Sequence, residues 1–224
     1  MNNIIPSTII DGFFDDPYKV RELGLEVAEH TPIDKNQVTY RGERSACLSK
    51  IHPVLFDQIN RKILSSFYDL NKEDISWKSE TSYQLTNGSF GDGWVHTDYY
   101  RGALLTGIIY LTPNAPLNSG TSLYQVKNIA ARTLHDDVKR KGNMDLELRN
   151  SKYYLECKRE NNHQFEKTLT VNNLFNRLFV FDSSYYHCAD HFFGNTREDS
   201  RLTLVTFINE LFVNQTPITR IRSI

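Results

Sequence analysis

His96-Thr97-Asp98 sets two metal-ligating side chains two residues apart. In an extended segment side chains alternate, so residues 96 and 98 point the same way and can reach one ion. A further histidine, His187, follows 89 residues after Asp98, beyond the apolar run at 178–181. Two imidazoles and one carboxylate on one face, with the remaining positions open, form the donor set of ferrous iron in non-haem oxygenases. Arg201 lies 14 residues past His187, and Thr203 sits two residues further on the same strand face. A buried guanidinium is costly unless an anion meets it. The carboxylate of a cosubstrate, gripped bidentately with a hydroxyl assisting, is one such anion; a neighbouring Asp or Glu is another.

Each piece alone carries little. His-x-Asp tripeptides arise by chance, and a single His after a strand is ordinarily a core or surface residue. Their combination and order point to a site. His191, ten residues before Arg201, competes for the third ligand position. His187 is the expected ligand because it follows the Asp182-Ser183-Ser184 turn directly, whereas His191 precedes Phe192-Phe193-Gly194, which reads as loop. Cys188 alternates away from the site and is expected in the core. Tyr83 or Gln84, Trp94 and Tyr99-Tyr100-Arg101 lie close enough in sequence to touch a cosubstrate or substrate, or to be ordinary packing.

The elements that must position these groups are legible in outline. Asp16 suits a helix cap and Pro17 a first helical position. The spacing of Val20, Leu23, Val27 and Ala28 predicts a helix over 17–30. A second helix is predicted over 53–70, with Phe56, Ile59, Ile63, Phe67 and Leu70 on its buried face. Between them, Tyr40-Arg41-Gly42-Glu43-Arg44-Ser45 reads as a solvated turn or as a loop lining the mouth of the site. Strands are expected over 79–86, 103–111, 121–126, 164–171, 178–181 and 201–209, the run ALLTGIIYL at 103–111 being apolar enough for a strand covered on both faces. Residues 127–170 carry ten Lys/Arg against seven Asp/Glu, a net of +3, and too few apolar residues for a core of their own. They read as an insertion, with a short helix over 131–140 followed by irregular chain. The expectation is one domain over 1–224: helical support over 1–75, then a mainly β core over 76–212, a sandwich or barrel.

Bulk composition agrees. The 224 residues include 26 basic and 27 acidic side chains, a net of −1, so nothing global demands a nucleic-acid or anionic-membrane partner. Three cysteines without CxxC spacing argue against a disulfide framework or structural zinc and for a reducing compartment. Neither a signal peptide nor a membrane-spanning apolar run is visible, and the expected location is the cytoplasm.

The ordered set of motifs resembles the iron(II)- and 2-oxoglutarate-dependent dioxygenases, in particular their prolyl-hydroxylase-like branch. His96-Thr97-Asp98 looks like that family's HxD, Ile108-Ile109-Tyr110-Leu111 like its apolar strand ending in Tyr-Leu, and Gly120-Thr121 like the Gly before its next strand. Leu178-Phe179-Val180-Phe181-Asp182-Ser183 looks like the strand running into the distal His, and Arg201-Leu202-Thr203 like Arg-x-Ser/Thr. The resemblance covers roughly residues 79–209. It implies a double-stranded β-helix, or jelly roll, with supporting helices. It implies Fe(II) on His96, Asp98 and His187, and 2-oxoglutarate on Arg201 with Thr203 and Tyr110 assisting. With O2 these would hydroxylate a C–H bond and release succinate and carbon dioxide. Relatives that transfer halide carry Gly or Ala at the position of Asp98, so its carboxylate favours hydroxylation. The expected substrate is a protein, a peptide or an amino-acid-like small molecule. A non-catalytic binding module and a nucleic-acid demethylase are the alternatives on the same scaffold.

Overall fold

The computed structural model describes residues 4–28, 41–99 and 102–223. Strand β1 (Thr8–Ile10) and helix α1 (Pro17–Val27) open the chain. The Asp16 carboxylate accepts from the Lys19 N–H at 3.2 Å, capping α1 as its sequence predicts. Residues 29 and 30, the end of the predicted helix, lie outside the described residues, as does Tyr40. Next come β2 (Glu43–Arg44), a single-turn helix α2 (Leu48–Ile51) and α3 (Pro53–Ser65). Helix α3 stops five residues short of the expected Leu70.

The β region comprises β3 (Ser76–Thr86), β4 (Leu105–Tyr110), β5 (Thr121–Val126), β6 (Phe165–Val171), β7 (Leu178–Asp182), β8 (Tyr186–Ala189) and β9 (Arg201–Phe212). Two antiparallel sheets result, a major one in the order β1-β7-β4-β9-β3-β2 and a minor one in the order β6-β5-β8. This is the expected jelly-roll arrangement, mainly β with a few helices.

Residues 127–170 depart from the expectation. Instead of one short helix and irregular chain, they form α4 (Asp136–Met144), α5 (Leu146–Asn150) and α6 (Lys152–His163). Capping explains this where apolar periodicity is weak. Asp145 closes α4 and accepts from the Leu148 N–H at 2.9 Å to start α5; Ser151 closes α5 and accepts from the Tyr154 N–H at 3.1 Å to start α6. The polar tail likewise forms a helix, α7 (Pro217–Arg222), with Thr216 as its cap.

Alternation along β9 separates scaffold from site. Leu202, Leu204 and Ile208 face a core shared with Tyr83 and Leu85 of β3, Leu105 and Ile109 of β4, and Ile59, Ile63 and Leu64 of α3. Arg201, Thr203, Val205 and Phe207 face the opposite way, into the space between the sheets. One end of that space is closed by Ile108, Tyr110, Leu123, Val171, Phe179 and Phe181. The other end is open and lined with polar side chains. Among the described residues no helix is long and apolar enough to cross a membrane.

Candidate metal centre and anion pocket

His187 follows the turn after β7, as the sequence suggests, but on a further short strand that was not expected. The chain turns at Ser183–Tyr185 and re-enters the minor sheet as β8, which places His187 opposite Leu123 of β5. On its free side β8 meets the segment carrying His96. The His96 N–H donates to the His187 carbonyl at 3.0 Å, and the His187 N–H donates to the His96 carbonyl at 2.8 Å. The two histidines are thus a reciprocally bonded cross-strand pair, whose side chains lie on one face. Gly93 permits the approach: a Cβ there would stand 2.1 Å from the Ala189 carbonyl oxygen. Thr97, pointing away, donates its hydroxyl to the Ser183 carbonyl at 2.7 Å and pins the segment to the turn before β8.

His96, Asp98 and His187 come together with their ligand atoms all within 4.8 Å of one another. His187 Nε2 lies 3.1 Å from Asp98 Oδ2, and His96 Nε2 lies 3.7 Å from Asp98 Oδ1. Each Nδ1 faces a backbone carbonyl, that of Trp94 at 2.8 Å and that of Tyr185 at 3.0 Å. A carbonyl only accepts, so each Nδ1 carries the hydrogen, and a neutral ring presents a bare Nε2 to the carboxylate. Burial, and then the charges of Lys139 and His187, hold His96 well below the ordinary histidine range, which keeps it neutral. Two lone pairs facing an anionic carboxylate are stabilised by a cation among them, and two nitrogens and one carboxylate suit ferrous iron. His191 takes no part: it pairs with Asp92 at 3.0 Å on the surface.

The cluster opens into a cavity of about 130 Å³. Arg201, only 5% exposed, lines it together with Thr203. Its Nε donates to the Ser119 carbonyl at 3.1 Å, and its guanidinium lies 5.6 Å from the Tyr110 ring and 5.7 Å from that of Phe192. Burial lowers its pKa, with Tyr110 and Asp190 acting the other way. Asp190 is itself bound to Lys167 at 2.6 Å and to the Ser122 hydroxyl at 2.5 Å, and among the described residues no carboxylate forms an ion pair with Arg201. The Tyr110 hydroxyl donates to Thr121 Oγ1 at 2.9 Å, and Thr121, not Tyr110, lines the cavity.

Of the weaker candidates, Gln84 lines the cavity and Tyr83 does not; adjacent on β3, they face opposite sides, and the Tyr83 hydroxyl donates to the Val20 carbonyl in the helical layer. Trp94 is buried edge-on against Tyr154 of α6, away from the cavity. Tyr99 is exposed; Tyr100 and Arg101 lie outside the described residues. Cys188 packs with Val95 and Phe165, and burial pushes its thiol up to about 11. The segment around Arg41 and Arg44 lines the cavity, the second of its two readings, because β2 adds to the edge of β3 in register with Gln84. Sequence reasoning missed Lys139 and Asn143, both in the cavity wall. Their separation of four residues, beginning within the predicted helical region, was the available signal.

The inserted helices also grip the metal-ligand segment. Asn161 donates to the Val95 carbonyl at 3.0 Å and accepts from the Leu134 N–H at 2.7 Å. Asn162 accepts from the Val95 N–H at 2.9 Å and donates to the Gly93 carbonyl at 3.0 Å. The chain leading to His96 is therefore held by side chains where it lacks a full strand partner.

Two facing antiparallel sheets, a His-Asp-His cluster between them and a buried arginine on the last strand describe a prolyl-hydroxylase-like 2-oxoglutarate oxygenase fold. The chain aligns with a prolyl hydroxylase from Trichoplax adhaerens, solved with a hypoxia inducible factor peptide fragment, at 14% identity and a TM-score of 0.53, covering 97% of this chain and 87% of that one. It aligns with EvdO2 from Micromonospora carbonacea var. aurantiaca at 15% identity and a TM-score of 0.53, covering 92% and 87%. At such identities the likeness establishes the fold. No curated protein matches the sequence. The chain belongs to DUF6445, a family of unknown function, whose profile matches residues 2–208.

Proposed function

We propose that this protein is an iron(II)- and 2-oxoglutarate-dependent dioxygenase that hydroxylates a C–H bond of its substrate. The observation that carries this reading is the convergence of His96, Asp98 and His187 on the same cavity as Arg201. Iron bound there supplies the chemistry by which O2 and 2-oxoglutarate become succinate and carbon dioxide while one oxygen atom goes to the substrate.

The chain's own contribution is positional and electrostatic. His96 and His187 offer their Nε2 atoms, oriented through their Nδ1 hydrogen bonds, and Asp98 supplies the carboxylate. Arg201 takes the far carboxylate of 2-oxoglutarate, with Thr203 beside it and the Tyr110 ring supporting the guanidinium. Ile108, Val205 and Phe207 restrict water around the reacting groups.

The test is succinate formation by purified protein given Fe(II), 2-oxoglutarate and O2. Wild-type protein is expected to release succinate, slowly without substrate, and His96→Ala and Asp98→Ala to release none. Activity at the wild-type level in either variant would sink the assignment.

A further inference from the structure

A second pocket, of about 400 Å³, shares Asn143 with the metal cavity and is otherwise walled by different residues. Its charged lining is Arg149, Arg197 and Glu43. Arg197 and Glu43 form an ion pair, and Nη2 of Arg197 donates to the Leu25 and Ala28 carbonyls at 2.7 and 2.9 Å. Those two charges cancel, which leaves Arg149.

Arg149 is 7% exposed. Its Nε donates to the Gly142 carbonyl and its Nη1 to the Ser89 hydroxyl, both at 2.8 Å. The guanidinium carbon lies 3.6 Å from the Phe90 ring centroid, so the planar group is stacked and held in place. A guanidinium carries five N–H donors, and these two bonds leave three without a partner among the described residues. No carboxylate of the described residues forms an ion pair with it. A cation buried without a counterion is costly, and burial lowers its pKa. Both of its protein partners are neutral acceptors, so bracing them does not call for a positive charge. An anion in the pocket does.

Other donors stand beside it. Asn87 and Asn195 line the same pocket. Asn87 Oδ1 accepts from the Ser89 N–H at 3.1 Å and from the Ser89 hydroxyl at 2.6 Å, while its amide nitrogen has no partner among the described residues. The Asn195 side chain is likewise without a partner there. We propose that this pocket is a second ligand site, in which Arg149, with Asn87 and Asn195 beside it, binds the phosphate or carboxylate of a small molecule. A guanidinium fork matches either oxyanion, and the pocket is of a size for a small ligand. The site goes beyond the oxygenase reading and does not depend on it.

The experiment is an NMR titration of full-length, metal-free, isotope-labelled protein with inorganic phosphate and, separately, with acetate, at low ionic strength where screening is weak. The Arg149 Nε–H resonance, identified by its absence from Arg149→Gln, reports on the site, as do the backbone amides of Ser89 and Asn195. Arg201 offers an anion a place in the metal cavity, so each titration is repeated in Arg201→Met. At least one anion is expected to shift these resonances saturably, with the same dissociation constant in wild type and in Arg201→Met. Arg149→Gln is expected to weaken binding about tenfold or more, the worth of one charge-assisted hydrogen bond. Asn195→Asp puts a negative charge into the wall at an exposed position; it is expected to weaken binding too, and it decides the matter if Arg149→Gln does not fold. The tighter of the two anions names the group that the ligand carries. Shifts that do not saturate with either anion, loss of binding in Arg201→Met, or affinity unchanged in folded Arg149→Gln or in Asn195→Asp would overturn the proposal.

Discussion

Replacing Arg201 with methionine should separate binding from stability. Arg201 is 5% exposed and, among the described residues, its guanidinium holds one hydrogen bond, from Nε to the Ser119 carbonyl. Losing that bond costs about 1 kcal/mol. Removing a buried charge returns a desolvation penalty of several kcal/mol, and Met fills much of the same volume beside Tyr110 and Phe192. The metal-free variant is therefore expected to be as stable as wild type or more so. At roughly 2–4 °C per kcal/mol for a chain of this size, its Tm should hold or rise by a few degrees. Cosubstrate binding should collapse. Two charge-assisted hydrogen bonds at about 1.5–3 kcal/mol each correspond to roughly a hundredfold to thousandfold or greater loss of 2-oxoglutarate affinity. Thermal melts and calorimetry on Mn(II)-loaded protein measure the two effects. A variant that melts many degrees lower yet keeps its affinity would refute the reasoning, because Arg201 would then be a structural brace.

Other outcomes follow from the same geometry. The fold favours neutral His96, so below about pH 6.5 the unfolded chain takes up a proton that the native chain resists. Metal-free protein should thus keep this stability above that pH and lose it as the pH falls; Lys139→Gln should lessen the loss, and denaturant melts across this range that show no slope would contradict it. Asn161→Ala removes contacts to Val95 and Leu134 from a fully buried side chain and should cost about 1–3 kcal/mol in chemical denaturation, with weaker metal binding. Gly93→Ala drives a Cβ against the Ala189 carbonyl; it should part His96 from His187 and abolish metal uptake measured by equilibrium dialysis, and wild-type uptake would show that β8 can yield.

The clustering of the candidate residues was legible because it is written in residue type and order: His96 and Asp98 share a face through simple alternation, and β9 announces Arg201 and Thr203 by alternating with Leu202 and Leu204. Less visible was what tertiary contacts decide. Strand β8, which carries His187, left no mark in the sequence because four residues after the turn at Ser183–Tyr185 give little periodic signal. The helices α4 to α6 were obscured by their polarity, since their stability comes from Asp145 and Ser151 as caps and from a few buried contacts such as Tyr154 on Trp94. Arg44 reached the cavity through edge pairing of a two-residue strand, which no local pattern reveals. Tyr110 fits the sequence pattern, but its hydroxyl is committed to Thr121, a partnership set by neighbouring strands.

The segment between β5 and β6 has two jobs on one piece of chain. Its α4 places Lys139 and Asn143 in the cavity, and its α6 ends in the asparagines that hold the approach to His96. A chimera that exchanged this segment to alter the cavity wall would also exchange the clamp on the candidate metal-binding segment. Diversification within the family is therefore constrained: changes made here have to preserve Asn161 and Asn162 or replace their grip.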